Sequence, residues 1–233
     1  MPMCKDNCGG TIVLGVFPRY AIVPTLASIV TSLIFYVTAM LLPGFVPARD
    51  LSLTLDAAIP VIPEMAFFYG LYFIYLSVSY PLMGRRGKEN FYRLISADFV
   101  GRFICLLCFL FFPATMTRPE IVATGIWNDI LRFIYAVDQP KNLFPSMHVF
   151  ISCICMIGVC PRTSRLPAWY RALSAVLGVL IIFSTLAVKQ HLVADVIAGI
   201  ALAILLVLIF RRGNAYLLFE RLFTRINKRL GLE

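Results

Sequence analysis

Charged residues are scarce in this chain of 233 amino acids. Asp, Glu, Lys and Arg make up 14% of it and hydrophobic residues 60%, whereas soluble domains hold roughly 25% charged and 45–50% apolar residues. This composition excludes an ordinary water-soluble protein. It predicts a polytopic membrane protein of the all-α class, with residues 1–233 forming a single integral membrane domain.

Signals for cleavage and for metal binding are also lacking. The N-terminal stretch MPMCKDNCGG has neither the short apolar core nor the small-residue cleavage site of a signal peptide, so we expect it to stay in the mature chain. Cys4 and Cys8 offer two thiolates with no histidine nearby, fewer than the four ligands of a structural zinc site, and a metal site there is a minor alternative. The other five cysteines lie in or beside apolar runs, where cysteine behaves as a small hydrophobic residue.

Long apolar runs, by contrast, are abundant. Because backbone groups in hydrocarbon must be hydrogen-bonded within their own segment, we expect each run to be a helix. The sequence predicts a bundle of six transmembrane helices, at about 20–43, 64–83, 99–115, 147–161, 170–188 and 190–211.

Basic residues indicate the orientation, because Lys and Arg concentrate in cytoplasmic loops. Most of them fall in the N-terminal arm, the loops after spans two and four, and the tail. The loop after span two is predicted to carry Arg85, Arg86, Lys88, Arg93 and Arg102. We therefore expect a multi-pass plasma membrane protein with both termini in the cytoplasm. The net charge of +9 is then a topology signal, and nucleic acid is not an expected partner.

Two further helices are predicted outside the spans. The tail, residues 212–233, has an apolar face and a basic face and is expected on the cytoplasmic leaflet; the alternative is a soluble helix packed on a partner. Its apolar face holds Phe219, Leu222, Phe223, Ile226 and Leu230. A short helix at about 121–136 is expected at the outer interface, above a site. The loop at 44–63 is expected to be ordered and extended, with no assigned role.

The chain has only two histidines, and each stands at the start of an apolar run. In NLFPSMHVF, Ser146 is a good N-cap for a helix that carries His148 in its first turn. The free N–H groups and the positive end of such a helix favour an anion. The alternative is a plain helix start with an interfacial histidine.

His191 and Asp195 are four residues apart, so on a helix they share one face. Asp195 heads an otherwise apolar span, where an ionisable residue marks a functional site or a buried pair. The spacing indicates that Asp195 accepts a hydrogen bond from one ring nitrogen of His191 and leaves the other free as a nucleophile or base. The alternative is that Asp195 merely caps the helix and His191 is exposed.

Five basic residues are predicted on the outer face, against the usual bias: Arg49, Arg118, Arg132, Lys141 and Lys189. Arg118, Lys141 and Lys189 come close in sequence to the motifs of that face. Phosphoryl transfer requires positive charge around the oxygens that develop negative character. These cations are therefore expected to converge on a phosphate.

Three motifs together resemble the type 2 phosphatidic acid phosphatase superfamily. PSMH is similar to its second signature, and Ser184-Thr185, five residues, His191, three residues and Asp195 to its third; Arg118-Pro119 is similar to the end of its first. The resemblance covers about residues 111–199. It implies a six-helix bundle with an active site at the outer bilayer surface and no metal or other cofactor.

The resemblance also implies a role for each matching residue. His191 would be the nucleophile that forms a phosphohistidine, and Asp195 would orient it. His148 would protonate the leaving oxygen, and water or an alcohol would then take the phosphoryl group. Arg118 and Ser146 would bind phosphate.

Three positions depart from the family pattern. Phe111 replaces the Lys of the first signature, Met147 the usual Gly of the second, and Thr185 the Arg of the third. Lys189 and Lys141 are the expected substitutes for the missing cations, with Met147 in the phosphate-binding loop. A hydrophobic residue at 147 favours the inositol phosphorylceramide synthase-like branch.

The sequence therefore predicts an enzyme that hydrolyses a membrane lipid phosphate or diphosphate. A lipid phosphotransferase is the first alternative, because a phosphohistidine serves both reactions. A catalytically dead relative and a non-enzymatic transporter are the others. The transporter is disfavoured because polar residues are expected at one face, with few in spans one, two and five. The lipid and the oligomeric state are left open.

Overall fold

The computed structural model describes residues 11–12, 17–42 and 45–233, so the predicted alternative of a Cys4–Cys8 metal site lies outside the described residues. The protein is 73% helical with almost no sheet, which confirms the all-α prediction. Its α-helices, in chain order, are α1 (Ile22–Leu41), α2 (Thr54–Ala58), α3 (Ala66–Met83), α4 (Lys88–Phe111), α5 (Ile126–Val137), α6 (Met147–Val159), α7 (Ala168–Ala187), α8 (Val193–Arg212) and α9 (Tyr216–Arg229).

Short elements connect these helices. Single 3-10 turns lie at Arg19–Ala21, Pro63–Met65, Gly84–Arg86 and Arg162–Ser164. Strands β1 (Thr11–Ile12) and β2 (Phe17–Pro18) pair antiparallel, and β3 (Arg49–Asp50) and β4 (Ala114–Thr115) pair parallel.

Five described helices, α1, α3, α4, α7 and α8, are long and apolar enough to cross a bilayer. Many of their large apolar side chains point outward, among them Leu33, Phe73 and Val179. Such an exposed apolar surface suits contact with lipid. The predicted fourth span corresponds to α6, which has 13 residues and is shorter than the roughly 20 residues that a full crossing needs.

Helix α6 is the centre of the bundle and packs against α3, α4, α7 and α8. Every residue from 149 to 155 is buried. Glycines on the neighbouring helices allow the close approach: a Cβ on Gly101 would lie 2.1 Å from the Phe150 ring, and one on Gly199 would lie 2.7 Å from the carbonyl oxygen of Ser146. The first turn of α6 is therefore held firmly between α4 and α8.

The third span begins earlier than predicted. Helix α4 starts at Lys88 rather than near 99, so Lys88, Arg93 and Arg102 lie in the helix and the prediction that they belong to a loop is wrong. A search for uninterrupted apolar runs assigns charged residues to loops. Arg102 is nevertheless fully buried, and its Nε donates to both carboxylate oxygens of Asp98, at 2.9 and 2.8 Å. Pairing one turn apart within the helix neutralises both charges.

This ion pair belongs to a buried polar network, which we call the Asp98 network: Ser28 on α1, Tyr80 on α3, and Asp98 and Arg102 on α4. Tyr80 donates to Asp98 at 2.6 Å and accepts from Arg102 at 2.8 Å, and Ser28 donates to Asp98 at 3.1 Å. Buried polar groups thus lie in spans one to three. The expectation that spans one and two hold little polar lining is wrong.

Both extra helices have counterparts in the structure. Helix α5 lies where a short helix was predicted before span four. In α9, Phe223 is buried and stacks with Tyr92, and Phe219 stacks with Phe99. Leu222 stays 51% exposed. Part of the apolar face of the tail therefore packs on α4 of its own chain.

Candidate active site

Both histidines lie at one end of the bundle. His148 is the second residue of α6. His191 lies in the turn between α7, which ends at Ala187, and α8. Within this turn Lys189 adopts a positive φ of 51°. The backbone N–H groups of Gln190 and His191 both donate to the carbonyl oxygen of Thr185, at 2.9 and 3.0 Å, and so hold the turn against α7.

The two imidazole rings are neighbours, with their centroids 5.8 Å apart and their planes inclined at 58°. A nucleophile reacts from about 3–3.5 Å, and a proton donor reaches an oxygen at about 2.7–3 Å. One phosphoryl group placed between the rings can therefore contact both of them. The structure brings together the two histidines that the sequence singled out.

Asp195 lies beneath His191 and is fully buried, and it serves two partners. Its Oδ2 accepts from the backbone N–H of Leu192 at 2.8 Å, which caps the start of α8. The same oxygen lies 3.5 Å from Nδ1 of His191, at the outer limit for a hydrogen bond and not aligned for one. Asp195 thus caps α8 and contacts His191 at the same time. Because Nδ1 of His191 faces Asp195, Nε2 is the ring nitrogen of His191 left for chemistry.

Ser146 caps α6, as predicted, because its Oγ accepts from the backbone N–H of Val149 at 3.3 Å. Its own N–H donates to the carbonyl oxygen of Asp195 at 3.1 Å, which ties the starts of α6 and α8 together. The side chain of Met147 packs on the apolar cluster around Cys105. An anion at this end would therefore meet backbone N–H groups of the first turn.

Arg118 braces the turn that carries His191. Its Nε donates to the carbonyl oxygen of Lys189 at 3.1 Å, its Nη1 to that of Asp138 at 2.6 Å, and its Nη2 to the side-chain oxygen of Gln190. Its guanidinium also lies 4.7 Å from the centre of the Tyr135 ring. Burial lowers the pKa of Arg118 from its ordinary value, but an arginine stays protonated. Arg118 therefore keeps a positive charge beside the turn that carries His191.

Lys189 holds a neighbouring segment over the site. We call residues 52–61, which include α2, the strap. The Nζ of Lys189 donates to the carbonyl oxygens of Asp56 and Ile59, at 2.7 and 2.5 Å. The Asp56 carboxylate accepts from the backbone N–H of Val193 at 2.8 Å. The loop left without a role by the sequence thus contains a short helix, rather than being extended throughout, and it covers the site.

Lys141, the other predicted substitute cation, is exposed. Its backbone pairs with Thr115, and within residues 17–42 and 45–233 its side chain makes no hydrogen bond or ion pair with the site. The same part of the chain holds no cluster of three or more His, Cys, Asp or Glu side chains suited to a metal ion.

A cavity of about 510 Å³ lies between the strap and the His191 turn. Arg118, Lys189 and His191 contribute polar groups to its wall, and most of the remaining wall is apolar, including Leu53, Met116 and Leu192. A mostly apolar pocket with a few convergent polar groups is typical of small-molecule sites.

Several residues of the site were not predicted from the sequence. Asp56, Gln190, Asp138, Tyr69 and Tyr72 all contact the motif residues or their supports. Only Asp56 has a local signal, since it stands at the third position of a helix, where an acidic side chain can cap. The others are brought to the site by folding alone.

The comparison with protein families agrees with this geometry. A model described as the PAP2 superfamily matches residues 42–209, which is most of the chain and includes the strap. The protein therefore belongs to the PAP2 superfamily, and this confirms the family resemblance at that level. Membership indicates phosphatase or phosphotransferase activity in general. No curated protein and no solved structure matches the chain significantly.

Replacing Lys189 with Ala is expected to lower kcat/KM by about 10- to 100-fold, the scale of losing hydrogen bonds to a charged group. The strap loses its anchor, and a phosphate in the cavity loses a nearby cation. Steady-state kinetics on a lipid phosphate measures the effect. Lys141→Ala is the matched control and should change turnover less, because Lys141 is exposed. Turnover by Lys189→Ala equal to that of the wild type would contradict both roles.

Proposed function

We propose that the protein is an integral membrane lipid phosphatase that hydrolyses a lipid phosphate or diphosphate through a phosphohistidine at His191. The observation that carries the proposal is the pair of neighbouring rings of His148 and His191, whose centroids are 5.8 Å apart, with Asp195 behind the second ring. Membership of the PAP2 superfamily supports phosphatase-type chemistry.

In the first step, Nε2 of His191 attacks phosphorus, and the bond from phosphorus to the leaving oxygen breaks. His148, protonated at the start, gives its proton to that oxygen. Arg118 and the free N–H groups at the start of α6 stabilise the charge that develops on the equatorial oxygens. Asp195 stabilises His191 as its ring gains positive character.

In the second step, a water molecule attacks phosphorus and the phosphorus–nitrogen bond breaks. His148, now neutral, takes a proton from the water. The products are the dephosphorylated lipid and inorganic phosphate, and both histidines return to their starting protonation. The cycle needs no oxidant, reductant or metal ion.

A phosphotransferase is the second candidate, and the cavity beside His191 favours it. An alcohol held there could take the place of water in the second step. Met147 in place of glycine is consistent with the inositol phosphorylceramide synthase-like branch. Family membership makes a transporter less favoured than either enzyme, although buried polar groups extend into spans one to three.

The proposal includes a topology. Helix α6 crosses the membrane as the fourth of six spans despite having only 13 residues. Both termini lie in the cytoplasm, and the histidines lie at the extracytoplasmic face of the plasma membrane. The Gly84–Arg86 turn contacts the Arg162–Ser164 turn at the opposite end of α6 from His148. These arginines therefore mark the cytoplasmic end under the positive-inside rule. Helix α5 then lies at the outer interface.

The test uses the purified full-length protein in detergent with labelled lipid phosphates and diphosphates. Each is supplied with and without diacylglycerol, ceramide and inositol. Release of labelled inorganic phosphate supports hydrolysis, and a labelled new lipid supports transfer. Failure of both reactions across the panel would overturn the proposed function and favour a catalytically dead relative or a transporter.

A further inference from the structure

Asp138, directly after α5, connects several parts of the site. Its Oδ2 accepts from the hydroxyl of Tyr69 at 2.6 Å, and its Oδ1 accepts from the hydroxyl of Tyr36 at 3.4 Å. Its carbonyl oxygen accepts from Arg118 at 2.6 Å. The bond from Tyr69 has the short length of a hydrogen bond to a charged acceptor. Asp138 therefore fixes the position of the Tyr69 ring.

The Tyr69 ring lies against His148. Their centroids are 4.9 Å apart with an interplanar angle of 31°, and Tyr72 lies on the same imidazole at 4.5 Å. Within the described residues, no side chain is hydrogen-bonded to a ring nitrogen of His148. Packing by the two tyrosines thus sets the orientation of His148. Aromatic faces also stabilise a cationic ring placed against them.

Burial of the His148 ring and the neighbouring His191 both disfavour the protonated form of His148, and Asp138 is the nearby group that favours it. The ionisable groups around it are Tyr69 and Tyr72 on α3, His191 before α8, and Asp138 after α5. Beyond these lie Arg118 and Asp195, which contact Asp138 and His191 respectively. Both tyrosines are neutral, and a protonated His191 would repel a second positive charge. Asp138 is thus the near carboxylate that favours imidazolium at His148.

We propose that Asp138 is a positioning residue for His148, the proton donor of the proposed reaction, and that it acts through the ring of Tyr69. Its carboxylate holds Tyr69 against the imidazole and stabilises the imidazolium from which the proton leaves. This inference rests on the proposed function, because it concerns the step in which the leaving oxygen is protonated.

Asp138→Asn tests the proposal, because the amide can still accept from Tyr69 but carries no charge. With a lipid phosphate, whose alkoxide leaving group needs a proton, the rate of the first turnover should fall about tenfold while KM stays within about twofold. The basic limb of its pH profile should move to lower pH, since the proton on His148 is lost more easily. With nitrophenyl phosphate, whose leaving group needs no proton, the rate should stay close to that of the wild type.

Two further variants separate positioning from folding. Tyr69→Phe removes the hydrogen bond but keeps the ring and the charge of Asp138, so it should slow the first turnover of the lipid phosphate without moving the basic limb of the pH profile. Asp138→Asn removes the charge and keeps the hydrogen bond, so the double variant should lose more than either single change. Asp129→Asn, in the helix α5 that precedes Asp138 and exposed, is the control that should leave the turnover of both substrates unaffected. If Asp138→Asn loses equal activity on both substrates, or stays active with an unchanged pH profile, this inference alone would be overturned. A wild-type protein inactive on both would overturn the proposed function and this inference with it.

Discussion

Replacing His191 with Ala is expected to abolish turnover, lowering kcat by about 10⁴-fold or more, equivalent to about 5 kcal/mol of transition-state stabilisation. The imidazole is the nucleophile of the proposed reaction, and the only other histidine in the chain already has the task of proton donor. Rapid-quench experiments with labelled lipid phosphate measure the result. Wild-type protein should carry a label that is stable to base and labile to acid, and His191→Ala should carry none.

His148→Ala is the matched comparison, since it removes the neighbouring ring. On nitrophenyl phosphate it should still form the phosphoenzyme, because nitrophenolate leaves without a proton, but it should hydrolyse the intermediate slowly. A stoichiometric burst of nitrophenol is therefore expected from His148→Ala and none from His191→Ala. The opposite pattern would mean that the two roles are exchanged, and equal activity of both variants would contradict phosphohistidine chemistry at this site.

The catalytic motifs could be found in the sequence because their signals are local. Two rare histidines, each at the start of an apolar run, and an aspartate inside a span are visible without any knowledge of folding. The N-cap role of Ser146 also follows from neighbouring residues alone. The same holds for the long apolar helices, whose length and composition suffice to mark them.

The residues that hold the catalytic motifs in place could not be predicted from local sequence signals. Asp138 and Tyr69 are 69 positions apart, and their hydrogen bond exists only once α3 and α5 pack. Lys189 is close to His191 in sequence, but whether its ammonium group faces a phosphate or the strap depends on where residues 52–61 lie. Such contacts are long-range consequences of the fold, and no periodicity encodes them.

Charges inside a helix misled the sequence prediction for a different reason. Hydropathy rules treat each charged residue as if it were alone in lipid, where it is costly. In α4, Arg102 is never alone, because Asp98 lies one turn before it and Tyr80 completes the pair. An i,i+4 spacing of opposite charges in an apolar segment is the signal that would have extended the third span toward Lys88.

The same pair gives the largest expected effect on stability. Arg102→Ala should destabilise the protein by about 3–5 kcal/mol, because it leaves the carboxylate of Asp98 buried without its cation. Both side chains are completely inaccessible to solvent, so water cannot compensate. Thermal unfolding of the purified protein in detergent, followed against the wild type, measures the loss. Tyr80→Phe should cost less, since it removes hydrogen bonds but no charge.

Replacing both charges separates a structural role from a functional one. Asp98→Leu with Arg102→Met removes the pair together, and exchange of a buried ion pair for apolar residues of similar volume is often neutral or stabilising by about 1–4 kcal/mol. We expect the double variant to be more stable than Arg102→Ala and to retain phosphatase activity, because the Asp98 network joins α1, α3 and α4 and contributes none of the proposed catalytic groups. A double variant that folds well yet loses turnover would contradict this. It would show that the buried pair, rather than the histidine site alone, takes part in the function, as the proton relay of a transporter would require.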